Sequence, residues 1–461
     1  MEHDTTEDQW LGAIAGFATG PVAALDDTRR EAIVTRVVDT IGCALGAGSS
    51  DAVEVVTAYA ARRANGGRHA TWGTDLDVDL ESAALANGVS ARYLDYNDAY
   101  FGVEPIHPSD VIPTLFACAL ENERSDDEFL DAVAVAYEVA MTAADEITPR
   151  RSGFDHVNVT MLGAVTGAAR LLGLSEEKAR HAVSIAVTSH AAYRQARTGQ
   201  LSMWKAFAAA DACRHAAYAA LLASVGARGP AAPFAGQQAM FRRALGLSPD
   251  EFPVLTLTSE APARIAGSQI KRFPCGSVGQ SAAQAATDLV ARGISLRDVQ
   301  SIDIRLDPKA AALMVSPEKL EPRTRETADH SIPYVIVSTL QRGALTVESF
   351  TDGAISDQEV RSFLQDNVKV GADPALGGGH DMGFPVDLNV TLKDGRVEEH
   401  AVEHPPGSPR NQMPYEELKT KFVGSLDRSA LADRADQLWD LTWSLGGEAS
   451  TIPRINECLR H

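Results

Sequence analysis

The stretch that decides the fold class is RREAIVTRVVDTIGCALGAG, residues 29–48. This spacing of apolar residues predicts an amphipathic helix with one buried face, and Gly46-Ala47-Gly48 is a typical helix end. The apolar residues recur every three or four positions, at Ile33, Val34, Val37, Val38, Ile41 and Leu45. Similar patterns cover residues 127–147 and 175–194, and an alanine-rich stretch follows at 202–225. The sequence therefore predicts a mainly α-helical protein built around a large all-helical domain.

The pattern changes near Ser268, after which alternation typical of strands replaces helical spacing. VQSIDIRLDP (299–308) ends in such an alternation, and FPVDLNVTLKDGRVEEHAV (384–402) alternates up to Asp394-Gly395, a hairpin signal. Helical patterns return in MPYEELKTKFVGSL and SALADRADQLWDLTWSL. We therefore expect a smaller α+β domain inserted into the helical one. The expected domains are 1–267 and 404–461 for the helical domain and 268–403 for the insertion.

Composition excludes several classes of partner. The formal net charge is -20 and the pI is about 5.0, which argues against nucleic acid and anionic membranes. The five cysteines are far apart, with no C-x-x-C pair, as expected for reduced thiols. No apolar run approaches the roughly 18–20 residues of a membrane span, and the acidic N-terminus lacks a signal-peptide core. We expect a soluble, cytoplasmic protein.

One segment, LDYNDAYFGVEPIHPSD (94–110), combines acids with a histidine. Pro108 after His107 is a helix-start signal, so His107 should lie where a loop enters a helix. Asp95 should come back toward it from the preceding segment. A histidine beside an acid at such a junction suits proton transfer, although a plain helix cap uses the same residues.

Four basic residues stand out from their surroundings. Lys205 has almost only apolar or small neighbours within a helical turn, so it needs a partner or a ligand unless it snorkels to solvent. Lys271, in QIKRFPCGSVGQ, precedes a glycine-broken turn and a helix, where an anion can bind, although this segment alone rather favours an ordinary solvated Lys-Arg pair. Arg194 and Arg197, in a polar loop, can clamp carboxylates or simply face water.

Two further residues complete the candidate set. His156 follows an aspartate in GFDHVNVTMLGA, directly before a helical run. Tyr334 follows the acid- and hydroxyl-rich segment RETADHSIPY, which also contains His330. In isolation, both residues are better explained by packing or capping than by catalysis.

Together these segments resemble the MmgE/PrpD family. The motifs keep their order along nearly the whole chain: LDYNDAYFGVEPIHPSD, DHV at 155–157, WKAFAAADACRHAAYAALLA, KRFPCGS and RETADHSIPY. The resemblance implies a large helical domain and a smaller α+β lid with the active site between them, usually in a homodimer. Carried over motif by motif, it implies site residues at Asp95, His107, His156, Lys205, Lys271 and Tyr334.

The family includes 2-methylcitrate dehydratase and cis-aconitate decarboxylase, and the first and last motifs look most like the dehydratase branch. The resemblance implies a lyase acting on a tricarboxylate, with dehydration of 2-methylcitrate to 2-methyl-cis-aconitate as the expected reaction. Three alternatives stay open: decarboxylation of cis-aconitate, isomerisation or epimerisation of a related acid, and a catalytically silent carboxylate-binding protein. The chain also departs from the family pattern. Ala99 stands where threonine is common, and Gly276 and Gln280 occupy a segment in which many members have a histidine.

Dehydration beside a carboxylate needs a base, a cationic pocket for the developing charge, and an acid for the leaving hydroxyl. We expect Lys205 and Lys271 to bind carboxylates, with Arg194 and Arg197 as further binding residues. His107 and His156 are the expected acid–base pair, in either order. Asp95 would orient one histidine, and Tyr334 would position the substrate.

We expect neither a cofactor nor a metal. The cysteines offer no ligand set for an iron–sulfur cluster, and the histidines show no short H-x-x-x-H spacing. A metal hydrolase that uses Asp95, His107 and His156 is therefore the weaker alternative. The only expected partners are the small tricarboxylate and a second copy of the chain.

Overall fold

The computed structural model describes residues 8–48, 50–64, 66–199, 201–258, 264–377, 383–447 and 449–461. The helices before residue 268 are α1 (Gln9–Thr19), α2 (Asp27–Gly46), α3 (Asp51–Ala61), α4 (Leu80–Tyr93), α5 (Ile112–Glu121), α6 (Asp126–Glu146), α7 (Val157–Leu171), α8 (Glu176–Ser189), α9 (Trp204–Ser224) and α10 (Met240–Leu245). Two short antiparallel pairs lie among them: β1 (His69–Ala70) with β2 (Asp77–Val78), and β3 (Tyr100–Phe101) with β4 (Pro105–Ile106).

A mixed segment follows. Its helices are α11 (Gln280–Ala291), α12 (Pro308–Met314), α13 (Pro317–Leu320), α14 (Arg325–Ala328), α15 (Ile332–Arg342), α16 (Asp352–Ile355) and α17 (Gln358–Asn367). Its strands are β5 (Val299–Leu306), β6 (Val368–Ala372), β7 (Val386–Leu392) and β8 (Val397–Val402). They form one sheet in the order β6-β5-β7-β8, in which only the β5–β6 pairing is parallel.

Three helices close the chain: α18 (Tyr415–Leu426), α19 (Ala435–Trp443) and α20 (Ile452–Cys458). They return to the first helices, since a Cβ on Gly42 of α2 would lie 2.9 Å from the Phe422 ring of α18. Phe422 in turn meets Trp439 of α19 with ring centroids 5.5 Å apart. We call α1–α10 with α18–α20 the helical body, and α11–α17 with β5–β8 the α+β part.

The helices and strands begin and end where the sequence provides the signals. The helix predicted from residues 29–48 is α2, and the one predicted from 127–147 is α6, which Ser125 and Glu128 open with a capping box. The predicted hairpin is β7–β8, and Gly395 has the positive φ of 89° that its turn requires. The prediction of a mainly α protein with a small sheet in its C-terminal part is confirmed.

The buried apolar residues form two main sets. One draws on residues 10–270 and 418–459. The other draws its buried members from residues 273–392, and Phe101 of the helical body packs against it. In the second set, the inward side chains of β7 alternate as the sequence pattern predicts, with Val386, Leu388, Val390 and Leu392 all buried. The domain boundaries expected at residues 267/268 and 403/404 stay predictions.

The crossing of α4 and α9 brings distant parts of the helical body together. A Cβ on Gly88 of α4 would lie 2.9 Å from the Cβ of Ala210 in α9, so the two backbones approach closely there. The turn that follows α4 lies beside the first turn of α9, so the two helices run antiparallel. This places Asp95, just beyond α4, within 3.1 Å of Lys205 at the start of α9.

Within the described ranges, no single helix is both long and apolar enough to cross a membrane. The helices α2 and α3, which meet at 93°, satisfy that test only as a bent pair.

Candidate active site

A cavity of about 540 Å³ lies where the helical body meets the α+β part. The helical body contributes the end of α4, the β3–β4 hairpin, two loops around residues 150–156 and 194–201, and the first turn of α9. The α+β part contributes residues 276–278 and 313–319 with two side chains near α14. The ionisable lining residues are Arg92, Asp95, Glu104, His107, Arg150, His156, Arg194, Arg197, Lys205, Glu318, Lys319 and His330.

Asp95 lies at the centre of the charge network. Its carboxylate accepts hydrogen bonds from Arg92 (2.7 Å) and Lys271 (2.6 Å) at Oδ1. Its Oδ2 lies 3.1 Å from Lys205 Nζ and 3.1 Å from His330 Nε2. Burial alone would raise the pKa of Asp95, but these cations hold it well below its usual value. Asp95 is therefore ionised while almost fully buried.

The backbone of Asp95 is also unusual. Its φ of 50° lies in the left-handed region, which costs free energy for any residue with a Cβ. The Lys271 ammonium binds the Asp95 carbonyl oxygen at 2.7 Å as well as the carboxylate. Residues in such strained backbone conformations are common at functional sites, and here a buried ion pair holds the strained residue in place.

Lys271 does not have the role expected from its segment. Lys271 is 0% exposed. Its ammonium binds the carboxylate and the carbonyl oxygen of Asp95 and does not face the cavity. The structure therefore contradicts the alternative of a solvated Lys-Arg pair, and it places the Lys271 ammonium on Asp95 and outside the cavity lining, so it does not support the prediction that Lys271 binds a substrate carboxylate. Its contacts make it a residue that positions Asp95.

Lys205 is buried and paired, so the alternative in which it snorkels to solvent is wrong. Its ammonium lies 3.1 Å from Asp95 Oδ2, 3.2 Å from Asp329 Oδ1 and 3.3 Å from His330 Nδ1. Unlike Lys271, it lines the cavity. Lys205 can therefore present its ammonium to a ligand from between two carboxylates.

His107 is oriented through its own motif. Its Nδ1 donates to the Asp98 carbonyl oxygen at 2.7 Å, which leaves Nε2 as the basic nitrogen, 4.0 Å from Asp95 Oδ1. His107 precedes the 3₁₀ turn Pro108–Val111 that leads into α5, as its sequence context predicts. Burial, together with the nearby cations Arg92 and Lys271, holds the pKa of His107 well below its usual value. The ring is thus a neutral base.

The polar residues of the same motif hold its two ends together. Asn97 donates to Ser109 and to Asp110, both at 2.9 Å. Asp98 accepts from the Ser109 backbone at 3.0 Å and from the Tyr137 hydroxyl at 3.0 Å. All of these groups are buried, so they fix the loop that carries Asp95 and His107.

His156 forms a second oriented imidazole. Its Nδ1 lies 2.8 Å from Asp155 Oδ1, and Asp155 is also bound by Arg197 at 2.9 Å. Its Nε2 is buried and has no hydrogen-bond partner among the described residues. Burial lowers the pKa of His156, whereas Asp155 pulls it upward. The rings of His156 and His107 lie 5.7 Å apart, so the two predicted histidines are brought together.

The cavity is locally basic although the chain carries a net charge of -20. Its lining cations are Arg92, Arg150, Arg194, Arg197, Lys205 and Lys319, against the acids Asp95, Glu104 and Glu318. Among the described residues the Arg194 side chain makes no hydrogen bond or ion pair, although its charge acts on nearby Glu104, and one terminal nitrogen of Arg197 is buried without a hydrogen-bond partner. These groups are available to bind carboxylates.

Tyr334 is not brought to this site. It lies in the first turn of α15, fully buried in the apolar core of the α+β part, beside Phe350. Its hydroxyl donates to the Ser349 carbonyl oxygen at 2.6 Å, and it does not line the described cavity. The structure therefore does not bring Tyr334 to the cavity, and its expected role in positioning substrate stays a prediction that this arrangement does not support. Burial of a satisfied tyrosine explains it instead.

The chain is similar to known proteins over most of its length. Residues 13–252 match the model of the MmgE/PrpD N-terminal domain, and residues 273–445 match that of the MmgE/PrpD C-terminal domain. The chain belongs to the MmgE/PrpD family. Its family relatives include 2-methylcitrate dehydratase of Escherichia coli strain K12, 29% identical over 392 residues that cover 77% of each chain.

Two other relatives within the family are similar over comparable lengths. The 2-methylcitrate dehydratase of Cupriavidus necator is 28% identical over 418 residues, which cover 84% of this chain and 82% of that protein. The alkylcitrate dehydratase phiI of a fungal species is 26% identical over 378 residues, which cover 76% of this chain and 74% of that protein.

Two lining residues of this MmgE/PrpD chain were missed at the level of sequence. In the sequence Arg92 looks like an ordinary basic residue in the last turn of α4. In the structure its guanidinium donates a hydrogen bond to the carboxylate of Asp95, three residues further along the chain. His330 was recognised only as part of RETADHSIPY. Its Nδ1 contacts Asp329 and its Nε2 approaches Asp95, which makes it the closest imidazole to the central carboxylate. The adjacent acid Asp329 was the signal that could have favoured His330 over Tyr334.

The two departures from the family pattern have different consequences. Ala99 lines the cavity, so the missing hydroxyl changes the site itself. Gln280 is a buried structural residue. Its Oε1 accepts from the backbone of Arg272 and Phe273 at 3.0 and 3.1 Å, and its Nε2 donates to the Phe273 and Cys275 carbonyl oxygens. Through these hydrogen bonds Gln280 stabilises the loop that carries Lys271.

One group of donors in the described part of the chain could hold a metal ion: Asp95, Asp329 and His330. The Lys205 ammonium lies 3.1 Å from Asp95 and 3.2 Å from Asp329, so it already forms an ion pair with each of these carboxylates. A metal ion at this point would have to displace that ammonium and then be repelled by it. The donor set as arranged therefore suits a lysine rather than a metal.

Proposed function

We propose that the chain is a hydro-lyase that dehydrates 2-methylcitrate to 2-methyl-cis-aconitate by side-chain acid–base catalysis, without a cofactor. The names of its relatives support a citrate-type dehydratase. The locally basic cavity supports an anionic substrate. The catalytic residues in this proposal are His107, His156 and Lys205, with Asp95 and Lys271 positioning them.

The observation that carries the proposal is the pair of oriented imidazoles. His107 and His156 each bond an acceptor through Nδ1 and keep Nε2 for the cavity, with their rings 5.7 Å apart. An elimination needs two proton-transfer groups, one at the C–H bond and one at the leaving hydroxyl. Two imidazoles at this separation can serve two adjacent carbon atoms of one substrate.

We assign the base to His156. In the proposed reaction its Nε2 takes the proton from the carbon that carries a carboxylate. The resulting imidazolium is stabilised by Asp155, whose carboxylate is already held at Nδ1. Negative charge then spreads into the adjacent carboxylate, where Lys205 and Arg197 can stabilise it.

The acid in this scheme is His107. An anionic substrate raises the pKa of His107, so the ring can carry a proton in the complex. Because Arg92 and Lys271 disfavour that charge, the protonated ring is a strong acid and readily protonates the departing hydroxyl. The carbon–oxygen bond breaks, a carbon–carbon double bond forms, and the products are the alkene and one water molecule.

The substrate carboxylates are assigned to three cations of the cavity. Arg194 makes no side-chain hydrogen bond or ion pair among the described residues, and Arg197, although it binds Asp155, keeps one terminal nitrogen without a hydrogen-bond partner. Lys319 adds a third positive group beside them. Guanidinium groups bind carboxylates through two parallel hydrogen bonds, so they can fix orientation as well as charge.

The test is a product assay on purified enzyme treated with a chelator. We would offer 2-methylcitrate, citrate and cis-aconitate, and follow alkene absorbance and CO2 release in the same samples. Alkene from 2-methylcitrate without CO2 is the expected result. CO2 from cis-aconitate would instead indicate the decarboxylase, and loss of activity that only a divalent metal restores would overturn the cofactor-free scheme.

We also propose that the chain forms a homodimer. The sequence resemblance supports this, and light scattering on the purified protein at several concentrations tests it. A mass near twice 49.1 kDa is expected, and a monomer at every concentration would contradict it.

A further inference from the structure

The cavity has an apolar wall as well as a cationic one. Phe101 and Ile106 of the β3–β4 hairpin face it, together with Val278, Leu313 and Met314 of the α+β part. Carboxylates lose hydration without compensation when they lie against such groups. A ligand that fills this space therefore needs an apolar portion in addition to its carboxylates.

This wall is part of the packed structure. The Phe101 ring meets Phe384 edge-on, with centroids 4.8 Å apart. Met314 and Val278 belong to the apolar core of the α+β part, and Leu313 packs against that core. The wall is thus formed before any ligand binds. A ligand that contacts it therefore gains binding free energy without the entropy cost of ordering these side chains.

The cavity also has room for more than a small acid. Its volume of about 540 Å³ falls within the range of roughly 300–1,000 Å³ that is typical of sites for drug-sized ligands. Ala99 and Gly276 contribute to this room, because both line the cavity and neither projects a large side chain. A Cβ on Gly276 would already approach the His330 ring to 3.4 Å.

We infer that the preferred substrates are 2-alkylcitrates whose alkyl substituent is longer than methyl. This inference rests on the proposed dehydration for its reaction and on the two walls for its ligand. The carboxylates meet Arg194, Arg197 and Lys205, while the alkyl chain lies along Phe101, Leu313 and Met314. Each buried methylene should strengthen binding about fourfold, until the chain reaches the end of the wall.

The first experiment compares 2-methyl-, 2-ethyl-, 2-propyl- and 2-butylcitrate on the full-length enzyme. We expect kcat/KM to rise about fourfold for each methylene over at least the first two additions. A flat or falling series, with 2-methylcitrate turned over normally, would overturn this inference and leave the proposed dehydration intact.

Calorimetric binding of the same four compounds separates the two proposals. If no compound is turned over but the dissociation constant still falls with chain length, the dehydration fails and the inferred ligand class holds. If the dissociation constant is independent of chain length, the inference fails whatever the turnover.

A variant series locates the effect. Leu313→Trp fills the cavity and Leu313→Ser makes its wall polar, and both should flatten the dependence of kcat/KM on chain length. The matched control is Leu320→Trp, because Leu320 is 40% exposed on α13 and does not line the described cavity. It should keep the wild-type dependence. If kcat/KM depends on chain length in both folded Leu313 variants as it does in the wild type, the alkyl chain does not lie along this wall.

Discussion

The Lys271 ammonium lies 2.6 Å from the carboxylate of Asp95 and 2.7 Å from its carbonyl oxygen. Both residues are almost completely buried, and Asp95 has a left-handed backbone conformation. One lysine thus fixes the charge and the backbone of the same residue. The cavity-facing oxygen of Asp95 is left to meet Lys205 and His330.

Lys271→Met should destabilise the protein and inactivate it together. Removing one partner of a buried ion pair typically costs about 3–5 kcal/mol, because the remaining charge loses its compensation. Urea unfolding of the purified variant measures this change. The control is Lys369→Met, since Lys369 is exposed on β6 and its loss should change the free energy of unfolding by less than about 0.5 kcal/mol. Equal stability of the two variants would contradict the role assigned to Lys271.

His107→Ala should lower kcat by about 10²- to 10⁴-fold while the fold stays intact, as is typical for loss of a general acid or base. Circular dichroism and thermal unfolding check the fold, and steady-state kinetics on 2-methylcitrate measure kcat. His181→Ala on α8 is the matched control, because that histidine lies away from the described cavity. A His107 variant with near-normal kcat would remove this residue from the mechanism.

Asp155→Asn should move the acid limb of the pH–rate profile to lower pH. His156 acts as a base only when neutral, so activity falls as the pH drops through its pKa. Asp155 raises that pKa, and its removal therefore lets the pKa of His156 fall. The profile of kcat/KM between about pH 4 and 8 measures the shift. Arg197→Gln separates the effect on the pKa of His156 from an effect on substrate binding. This variant should raise KM without moving the acid limb to lower pH.

Arg194→Gln should raise KM for a tricarboxylate by about ten- to a hundredfold and leave kcat within a few-fold, as expected for a residue that binds a carboxylate in ground and transition state alike. Its stability should be unchanged, because the side chain has no polar partner among the described residues. Arg92→Gln provides the contrast, since Arg92 bonds the buried Asp95 at 2.7 Å and its loss should destabilise the fold. An Arg194 variant with unchanged KM would contradict the binding assignment.

The sequence predicted best where local chemistry decides position. His107 and Asp95 come together because the β3–β4 hairpin between them turns the chain back, and the Asn97 and Asp98 side chains that hold the two ends of this segment belong to the same motif. Lys205 was recognisable because a lysine on an otherwise apolar helical face requires a buried partner. The partner Asp329 comes from the α+β part, more than a hundred residues away, and no local pattern indicates it.

Prediction of site residues from the sequence failed where the orientation of a helix decides which side chain faces the cavity. His330 and Tyr334 are four residues apart, but Ser331 caps α15 between them and accepts from the Tyr334 backbone. The chain direction changes at this cap, so His330 faces the cavity while Tyr334 enters the core. Arg92 was missed for a related reason, because only the turn after α4 brings Asp95 back to its guanidinium.

Asp110→Asn should stabilise the protein increasingly as the pH rises from about 4 to 7. Asp110 is almost fully buried, and burial raises its pKa to about 7, although Arg92 pulls the pKa down. In the unfolded chain the carboxyl ionises near about pH 4, so the wild type loses stability as the pH rises between these two values. The asparagine keeps an acceptor for the Asn97 amide but has no charge to bury.

The measurement for Asp110→Asn is urea unfolding of both proteins at pH 5 and pH 8. The gain of the variant over the wild type should grow by up to roughly 4 kcal/mol between pH 4 and 7, with most of that growth falling between the two measured conditions. Asp366→Asn, at an exposed position of α17, should show no such growth. A constant difference between Asp110→Asn and the wild type at both pH values would mean that Asp110 is ionised throughout. The Arg92 guanidinium, whose Nε lies 3.9 Å from its carboxylate, would then outweigh burial.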